Sequence, residues 1–282
     1  MLSSIRKVIE AAGFIGIALF VVAAIVPIIV RWAATPIDPL LMPILRSPTF
    51  PDVFAYHKSW VLMACAVAIL LYRIGDLIVT WPDFIDLKQK TIIIFKDPIV
   101  IILSIYLLFV FLSNVFSPYT NVAFWGIHDR REGLFVQFAY ITVFFSTLFY
   151  VKGELQLRLL LAGLLFSSLI MGSIGFSQFI NRDFFATQIA SYIVNGWGSP
   201  PMTPGFQMAY GTNFNPNTFG LVTAMLFPTL FAAAIAWKNY VWRGLFLLAG
   251  TLMAIGVVAS RSVGGIIGAA TAVAVIVITL GG

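Results

Sequence analysis

Ionisable side chains are scarce in this sequence: Asp, Glu, Lys and Arg make up 10% of its 282 residues, and histidine occurs twice. Soluble domains carry about 25% charged residues, so this composition excludes an ordinary water-soluble domain. The single cysteine, Cys65, excludes an intramolecular disulfide and a cysteine-rich metal site. The sequence also lacks HExxH, DxD, Walker and dinucleotide-binding motifs, so neither a metal nor another cofactor is expected.

Apolar sequence is abundant instead: 60% of the residues are hydrophobic, and the mean hydropathy is +0.99. A bilayer core about 30 Å thick needs roughly 20 apolar helical residues to cross it, and continuous apolar runs favour helices over a barrel. We therefore predict an all-α polytopic transmembrane helical bundle in a single integral membrane domain, residues 1–282, with about eight spans. The runs are Ala11–Val30, Trp60–Thr80, Pro98–Phe116, Leu134–Val151, Leu159–Ile180, Thr218–Trp237, Gly244–Ala259 and Val263–Leu280.

The position of the basic residues predicts the orientation. A net charge of +6 would suit nucleic-acid binding in a soluble protein, but no such partner is expected for a chain of this composition. If the end that carries Arg6 and Lys7 is cytoplasmic, ten of the 17 Lys and Arg residues fall in inner segments and seven in outer ones. This excess follows the positive-inside rule. We expect a multi-pass protein of the plasma (inner) membrane, surrounded by membrane lipids, with a cytoplasmic N-terminus.

The turn Asn215-Pro216-Asn217 opens the apolar run 218–237. Pro216 disfavours the helical conformation at Asn215, and Asn217 is expected to cap the first helical turn. One interpretation is simply a well-formed helix start. The other is a helix start aimed at a ligand, with the amides of Asn213, Asn215 and Asn217 bonding to sugar hydroxyls or phosphate oxygens. The sequence leaves both open.

Arg261 lies between two apolar runs, flanked by Ser260 and Ser262 and with no acidic residue nearby. Two spans separate it from the Asn-Pro-Asn turn, so both are predicted on the same side of the membrane. Such an arginine can snorkel to lipid headgroups, or it can hold a phosphate ligand with the serines as further donors. Gly264, Gly265 and Gly268 follow it and favour close helix packing, with Gly264 and Gly268 at GxxxG spacing.

The segment Trp125–Gly133 is densely charged. Arg130 or Arg131 is a candidate for clamping a pyrophosphate through two parallel hydrogen bonds. The other arginine can then pair with Glu132 or Asp129, and the sequence does not decide between them. The alternative interpretation is a solvated loop whose charges cancel locally.

These motifs resemble those of the O-antigen ligase and Wzy-type polysaccharide polymerase family. The matching stretches are FWGIHDRREGL, GTNFNPNTFG before one span, Pro228 inside it, and SRSVGG two helices later, and the resemblance covers most of the chain from about Ser117 onward. It implies an inverting membrane glycosyltransferase of the GT-C type, working on the outer face. Such an enzyme passes a glycan from undecaprenyl pyrophosphate to a sugar acceptor, without a nucleotide sugar or a metal.

The resemblance also implies roles for individual residues. Arg261 and one of Arg130 or Arg131 would hold the pyrophosphate, and the Asn215–Asn217 turn would shape that site or the sugar pocket. Grooves lined by Phe and Leu would accept the polyprenyl chain. Family members continue past the matched region to a histidine implicated in activating the acceptor. The chain is therefore expected to be incomplete at its C-terminus and unable to transfer alone. His128 does not match that motif, so the catalytic residues stay unassigned.

Two other classes of protein remain open. One is a transport-related membrane protein, because the same resemblance extends to proteins associated with bicarbonate transport. The other is a lipid-linked glycan polymerase of the cell-shape and division type, which uses a catalytic acid. An essential carboxylate would favour this polymerase, whereas an essential Arg261 with dispensable acids would favour the ligase-like enzyme.

Overall fold

The protein is an α-helical membrane protein, and the predicted fold class is confirmed. The computed structural model describes residues 2–36, 49–79, 97–127, 130–196, 207–213 and 215–281. The helices are α1 (Leu2–Ala24), α2 (Tyr56–Val79), α3 (Pro98–Val115), α4 (Thr120–Trp125), α5 (Leu134–Tyr150), α6 (Glu154–Phe179), α7 (Gln188–Asn195), α8 (Pro216–Ala236), α9 (Tyr240–Ala259) and α10 (Val263–Gly281). Short 3-10 turns occupy Val26–Ile28 and Phe184–Ala186, and strands β1 (Ala33–Pro36) and β2 (Thr49–Asp52) form an antiparallel pair.

Five of these helices are long and apolar enough to cross a membrane: α2, α3, α6, α8 and α9. Three shorter apolar helices cover 13–28, 134–150 and 263–278. Each of the eight predicted runs thus coincides with an apolar helix, while the number that span the bilayer stays a prediction. One predicted boundary is wrong. The predicted run that begins at Gly244 starts earlier, because Asn239 caps a helix whose first residue is Tyr240.

The first of two compact units comprises residues 1–19 and 33–156. A small apolar core in it joins Ile15 and Leu19 of α1 to Ile69 of α2. Arg73 and Asp76 are three positions apart, which places them on one face of α2, and they form an ion pair at 3.2 Å. Most of α3 faces outward, since Val100 is the one buried residue among those described in that helix. An apolar helix with such exposure suits contact with lipid.

The second unit comprises residues 20–32 and 157–282. Its core is formed mainly by α6, α8 and α9. The fully buried members include Met171, Phe219, Leu230, Phe246 and Met253. Pro228 lies inside α8 and is itself buried. This unit carries both the Asn-Pro-Asn turn and Arg261.

Candidate functional site

The turn between α9 and α10 consists of Ser260, Arg261 and Ser262. Arg261 has a left-handed backbone with φ of 51°, a conformation that glycine adopts without strain and that arginine adopts at a cost. Its side chain is exposed. Among the described residues, no carboxylate forms an ion pair with it. The turn therefore presents an exposed guanidinium at one end of the second unit, and no carboxylate of the described residues compensates its charge.

The two serines stabilise this turn from inside. Ser260 Oγ donates to Val257 O at 2.8 Å and accepts from Ser262 N at 3.2 Å. Ser262 Oγ accepts from Gly265 N at 3.1 Å, which caps the first turn of α10. Both side chains are buried, with exposures of 0% and 2%. Their hydroxyl groups hold Arg261 in place, a role different from the ligand contacts that the sequence suggested for them.

The Asn-Pro-Asn turn forms the start of α8. Asn215 has the extended conformation that Pro216 favours (φ −102°, ψ 119°), and its side chain accepts from Asn217 N at 2.8 Å. Asn215 is therefore the N-cap, and the prediction that Asn217 is the cap is wrong. The proline occupies the first helical position, so Asn217 is the second residue of the helix and its side chain is exposed.

The first turns of α8 and α10 pack against each other. A Cβ on Gly220 would lie 2.5 Å from Ser260 Oγ and 2.6 Å from the Ser262 Cβ, and a Cβ on Gly265 would lie 2.9 Å from the Gly220 carbonyl. Further along, Gly268 of α10 faces Ala224 of α8, so the two helices run parallel. Their N-termini, which carry the positive ends of the helix dipoles, consequently lie at the same end.

The predicted GxxxG pair is not the point of closest contact. Cβ atoms on Gly264 and Gly268 would meet nothing closer than 3.6 Å and 3.7 Å, which is ordinary van der Waals contact. The small residues that the packing needs are Gly220 and Gly265. The sequence correctly indicated close packing by the glycines of α10, but the closest contact is made by Gly265 and not by the Gly264–Gly268 pair.

Phe219 anchors this end of α8. The residue is fully buried, and its ring lies where side chains on Gly175, Gly211 and Gly256 would otherwise be. A Cβ on Gly175 would lie 2.5 Å from the Phe219 ring. Since such contacts leave no room for movement, the start of α8 is fixed against α6 and α9.

Residues 207–213, here termed the brace, tie this end of the unit together. Ala209 N donates to Ala259 O at 3.0 Å, directly before the Arg261 turn. Thr212 Oγ1 donates to Pro27 O at 2.7 Å. The brace thus connects the end of α9 to the 3-10 turn that follows α1.

A partly buried polar network fastens the brace to the end of α6. Gln178 Oε1 accepts from Tyr210 N and Gly211 N at 3.0 and 2.8 Å, and Tyr210 OH donates to Asp183 Oδ2 at 2.5 Å. Burial raises the pKa of the Tyr210 hydroxyl, and the bond to Asp183 and the charge of that carboxylate raise it further. The sequence analysis missed this network, because its members are about thirty positions apart and form no local pattern.

The other predicted arginine turn belongs to the first unit. Arg131 also has a left-handed backbone, with φ of 55°. Its Nε lies 3.4 Å from Asp52 Oδ2, and its guanidinium lies 4.9 Å from the centre of the Tyr56 ring. Asp52 Oδ1 accepts in turn from the N–H groups of Ala55 and Tyr56 at the start of α2. Among the described residues, the acidic partner of Arg131 is therefore Asp52 rather than Glu132.

Arg130 is exposed, in contrast to its neighbour. Asp129 and His128 lie outside the described residues. The involvement of Arg130 or Arg131 in a pyrophosphate site stays a prediction. Of the two, Arg130 has the guanidinium that is not committed to Asp52.

An apolar groove of about 790 Å³ follows α8 and α10 away from their N-termini. It is lined by Leu161 of α6, by Leu221, Ala224, Met225, Pro228, Thr229, Ala232, Ala233 and Ala236 of α8, and by Gly268, Ala272, Val275 and Ile276 of α10. Thr229 is the one polar lining residue, and its hydroxyl donates to Met225 O. The small side chains leave this volume open, so the lining differs from the Phe- and Leu-lined groove that was expected.

No family model, curated protein or solved structure matches this chain. Its functional assignment therefore depends on the geometry of the described residues and on the motifs that they carry.

Proposed function

We propose that this protein is a membrane glycosyltransferase resembling the O-antigen ligases, which takes a glycan from undecaprenyl pyrophosphate and passes it to a sugar acceptor. The observation that carries the proposal is Arg261, an exposed cation on a strained left-handed turn, without a carboxylate partner in the described part of the chain. Strain of this kind is retained where a side chain must be presented in a fixed place.

The surroundings of Arg261 suit a pyrophosphate attached to an isoprenoid chain. The planar guanidinium can bind phosphate oxygens bidentately, and two helix N-termini at the same end favour negative charge. The groove beside α8 and α10 extends over about 22 Å of helix, from Leu221 to Ala236. An anionic head at the turn and an apolar tail in the groove would satisfy both surfaces.

This arrangement also suits the chemistry of transfer. When the acceptor hydroxyl attacks the anomeric carbon, the bond to the lipid pyrophosphate breaks and negative charge develops on the leaving group. A cation fixed in advance stabilises that charge more than it stabilises the ground state. The buried serines and the brace supply the rigidity that this effect requires.

The proposal is tested by binding and by transfer in lipid nanodiscs. We expect the wild-type protein to bind undecaprenyl pyrophosphate. Transfer, which the sequence does not predict for this chain alone, is followed as release of that carrier from a lipid-linked glycan in the presence of an acceptor. Arg261→Ala should lose binding, and Arg261→Lys should not restore it, because an ammonium lacks the planar fork. Loss of this contact should weaken transition-state stabilisation by about 2–4 kcal/mol.

The matched control for these variants is Arg243→Ala. Arg243 is an exposed arginine in the first turn of α9, at the opposite end of the helix from Arg261. Its loss should leave binding unchanged. Equal binding by the wild type and both Arg261 variants, or full activity of Arg261→Lys, would contradict the proposal. Bicarbonate uptake without glycan binding would favour the transport-related class instead.

We further propose that Asn217 and Arg261 face the outside of the plasma membrane and that the N-terminus is cytoplasmic. The inner excess of basic residues supports this orientation. Asn217→Cys and Arg261→Cys, each made in a Cys65→Ser background, should react with a membrane-impermeant thiol reagent in intact cells. Reaction only after permeabilisation would reverse the orientation.

A further inference from the structure

Helix α7 exposes isoleucine where a water-facing helix would expose polar side chains. Ile189 and Ile193 are 67% and 63% exposed, while Ala190 and Val194 face the protein with exposures of 1% and 3%. These four residues form one continuous apolar arc of the helix, and only half of that arc is covered. A short helix that exposes two adjacent isoleucines needs an apolar environment on its outer side.

The attachment of α7 indicates what that environment is. Trp32 N donates to Val194 O at 3.0 Å, which ties the end of α7 to the chain just past the apolar segment 13–28. The helix also begins shortly after the end of the spanning helix α6. Two apolar helices therefore end close to α7, as expected at the boundary of a membrane.

The flanking residues have the chemistry of that boundary. Trp32 is 49% exposed, and Tyr192 of α7 is 38% exposed. Arg31 and Arg182 are also exposed. Tryptophan and tyrosine concentrate at membrane–water interfaces, where basic side chains meet the headgroups.

We infer that α7 lies in the plane of the membrane interface, with Ile189 and Ile193 inserted among the lipids of the bilayer that the protein spans. Interfacial helices bury their apolar face about 5–10 Å into the boundary between headgroups and acyl chains. The lipid takes the place that a second protein chain would occupy on a soluble protein. This inference does not depend on the proposed enzymatic activity.

The position of α7 has a consequence for the brace. Asp183, four residues before the Thr187 N-cap of α7, accepts the hydrogen bond from Tyr210 of the brace. The brace in turn bonds to Ala259 at the end of α9. A helix held at the level of the headgroups therefore places the Arg261 turn near the same level, where the phosphates of lipids are found.

Spin labels on α7 test this inference in nanodiscs of phosphatidylethanolamine and phosphatidylglycerol. Ile193→Cys and Ile189→Cys, each in the Cys65→Ser background, are labelled, and their collision rates with oxygen and with a water-soluble nickel chelate are compared. Gln188→Cys is the control, because Gln188 is an exposed polar residue of the same helix.

We expect both isoleucine positions to be accessible to oxygen and protected from nickel, with a depth of about 5–10 Å below the headgroups. The label at Gln188 should lie shallower and collide more often with nickel. Nickel accessibility at Ile189 and Ile193 equal to that at Gln188 would place the helix in water and overturn the inference. Protection of both positions from oxygen as well as nickel would show a protein partner there, which would also overturn it.

Discussion

Arg131 and Arg261 occupy turns of the same kind, one in each unit of the molecule. Both have a left-handed backbone, with φ of 55° and 51°. Both precede a helix by a few residues, and both turns depend on glycines that allow close approach of the backbone. Gly126 and Gly133 serve the first turn, and Gly220 and Gly265 serve the second.

The two guanidinium groups differ in what they contact. The side chain of Arg131 is 12% exposed and pairs with Asp52, whose side chain is 1% exposed and also caps α2. Arg261 is exposed, and its turn is stabilised by two serine hydroxyls instead. In the first unit the arginine contributes to the fold, whereas none of the carboxylates described in the second unit pairs with the guanidinium of Arg261. Similar backbones thus accompany a structural role for Arg131 and the ligand-binding role that we propose for Arg261.

The largest expected effect is the loss of Arg131. Arg131→Ala would leave the buried Asp52 carboxylate without its charge partner, and breaking a buried pair in this way costs about 3–5 kcal/mol. Equilibrium unfolding in mixed micelles should show this loss of unfolding free energy. Arg130→Ala is the matched control, since Arg130 is exposed and its removal should change stability little. Equal stability of the two variants would contradict the structural role of Arg131.

The second prediction concerns the support of the Arg261 turn. Tyr210→Phe removes the hydrogen bond to the Asp183 carboxylate, and bonds to charged groups contribute about 1.5–3 kcal/mol. Because the folded protein raises the pKa of Tyr210, this tyrosine stays protonated where an unfolded one ionises. The protonated Tyr210 hydroxyl contributes fully to the free energy of unfolding below a pH of about 10, the ordinary tyrosine pKa. This contribution is lost as the pH rises further.

The pH dependence of the unfolding free energy checks the direction of this effect. The wild type should lose stability above pH 10 more steeply than Tyr210→Phe does. The other tyrosines are the same in both proteins, so their contributions to the pH dependence cancel in the difference. Identical slopes for the two proteins would show that the hydroxyl is not held in its protonated form.

The third prediction tests the packing of the two helix N-termini. Gly220→Ala would force a Cβ to within 2.5 Å of Ser260 Oγ, and overpacking of this kind costs about 1–3 kcal/mol. Gly264→Ala is the matched control, because its Cβ would meet nothing closer than 3.6 Å. The difference between the two unfolding free energies measures the contact. A larger loss for Gly264→Ala would restore the GxxxG interpretation.

Much of the fold could be predicted from local sequence, because an apolar helix is recognised from its own residues. The apolar runs, the Arg73–Asp76 pair and the extended residue before Pro216 all depend on neighbours within four positions. The exact cap could not be assigned so readily, since Asn215 and Asn217 are both good capping residues.

The site was harder to predict because its contacts join distant parts of the chain. Asp52 and Arg131 are 79 positions apart, and Gln178 and Gly211 are 33 positions apart. No local pattern marks such partners. The choice of Gly265 over Gly264 depends on the rotation of α10 against α8, which only the packed structure shows. The burial of Ser260 and Ser262 follows from the same packing.

The smallest expected effect on stability comes from replacing Arg261 by glycine, and it distinguishes the role of Arg261 from that of Arg131. Arg261→Gly relieves a left-handed backbone that costs about 1–3 kcal/mol, and the greater freedom of glycine in the unfolded chain offsets about 0.4–1 kcal/mol of this gain. The variant should therefore be about 1 kcal/mol more stable than the wild type and still fail to bind undecaprenyl pyrophosphate. Arg131→Gly has the same backbone relief but should lose stability, because Asp52 is left buried without its partner. The changes in unfolding free energy caused by Arg261→Gly and Arg131→Gly should have opposite signs if the guanidinium of Arg261 binds a ligand and that of Arg131 stabilises the fold. A loss of stability in both would make Arg261 a structural residue as well.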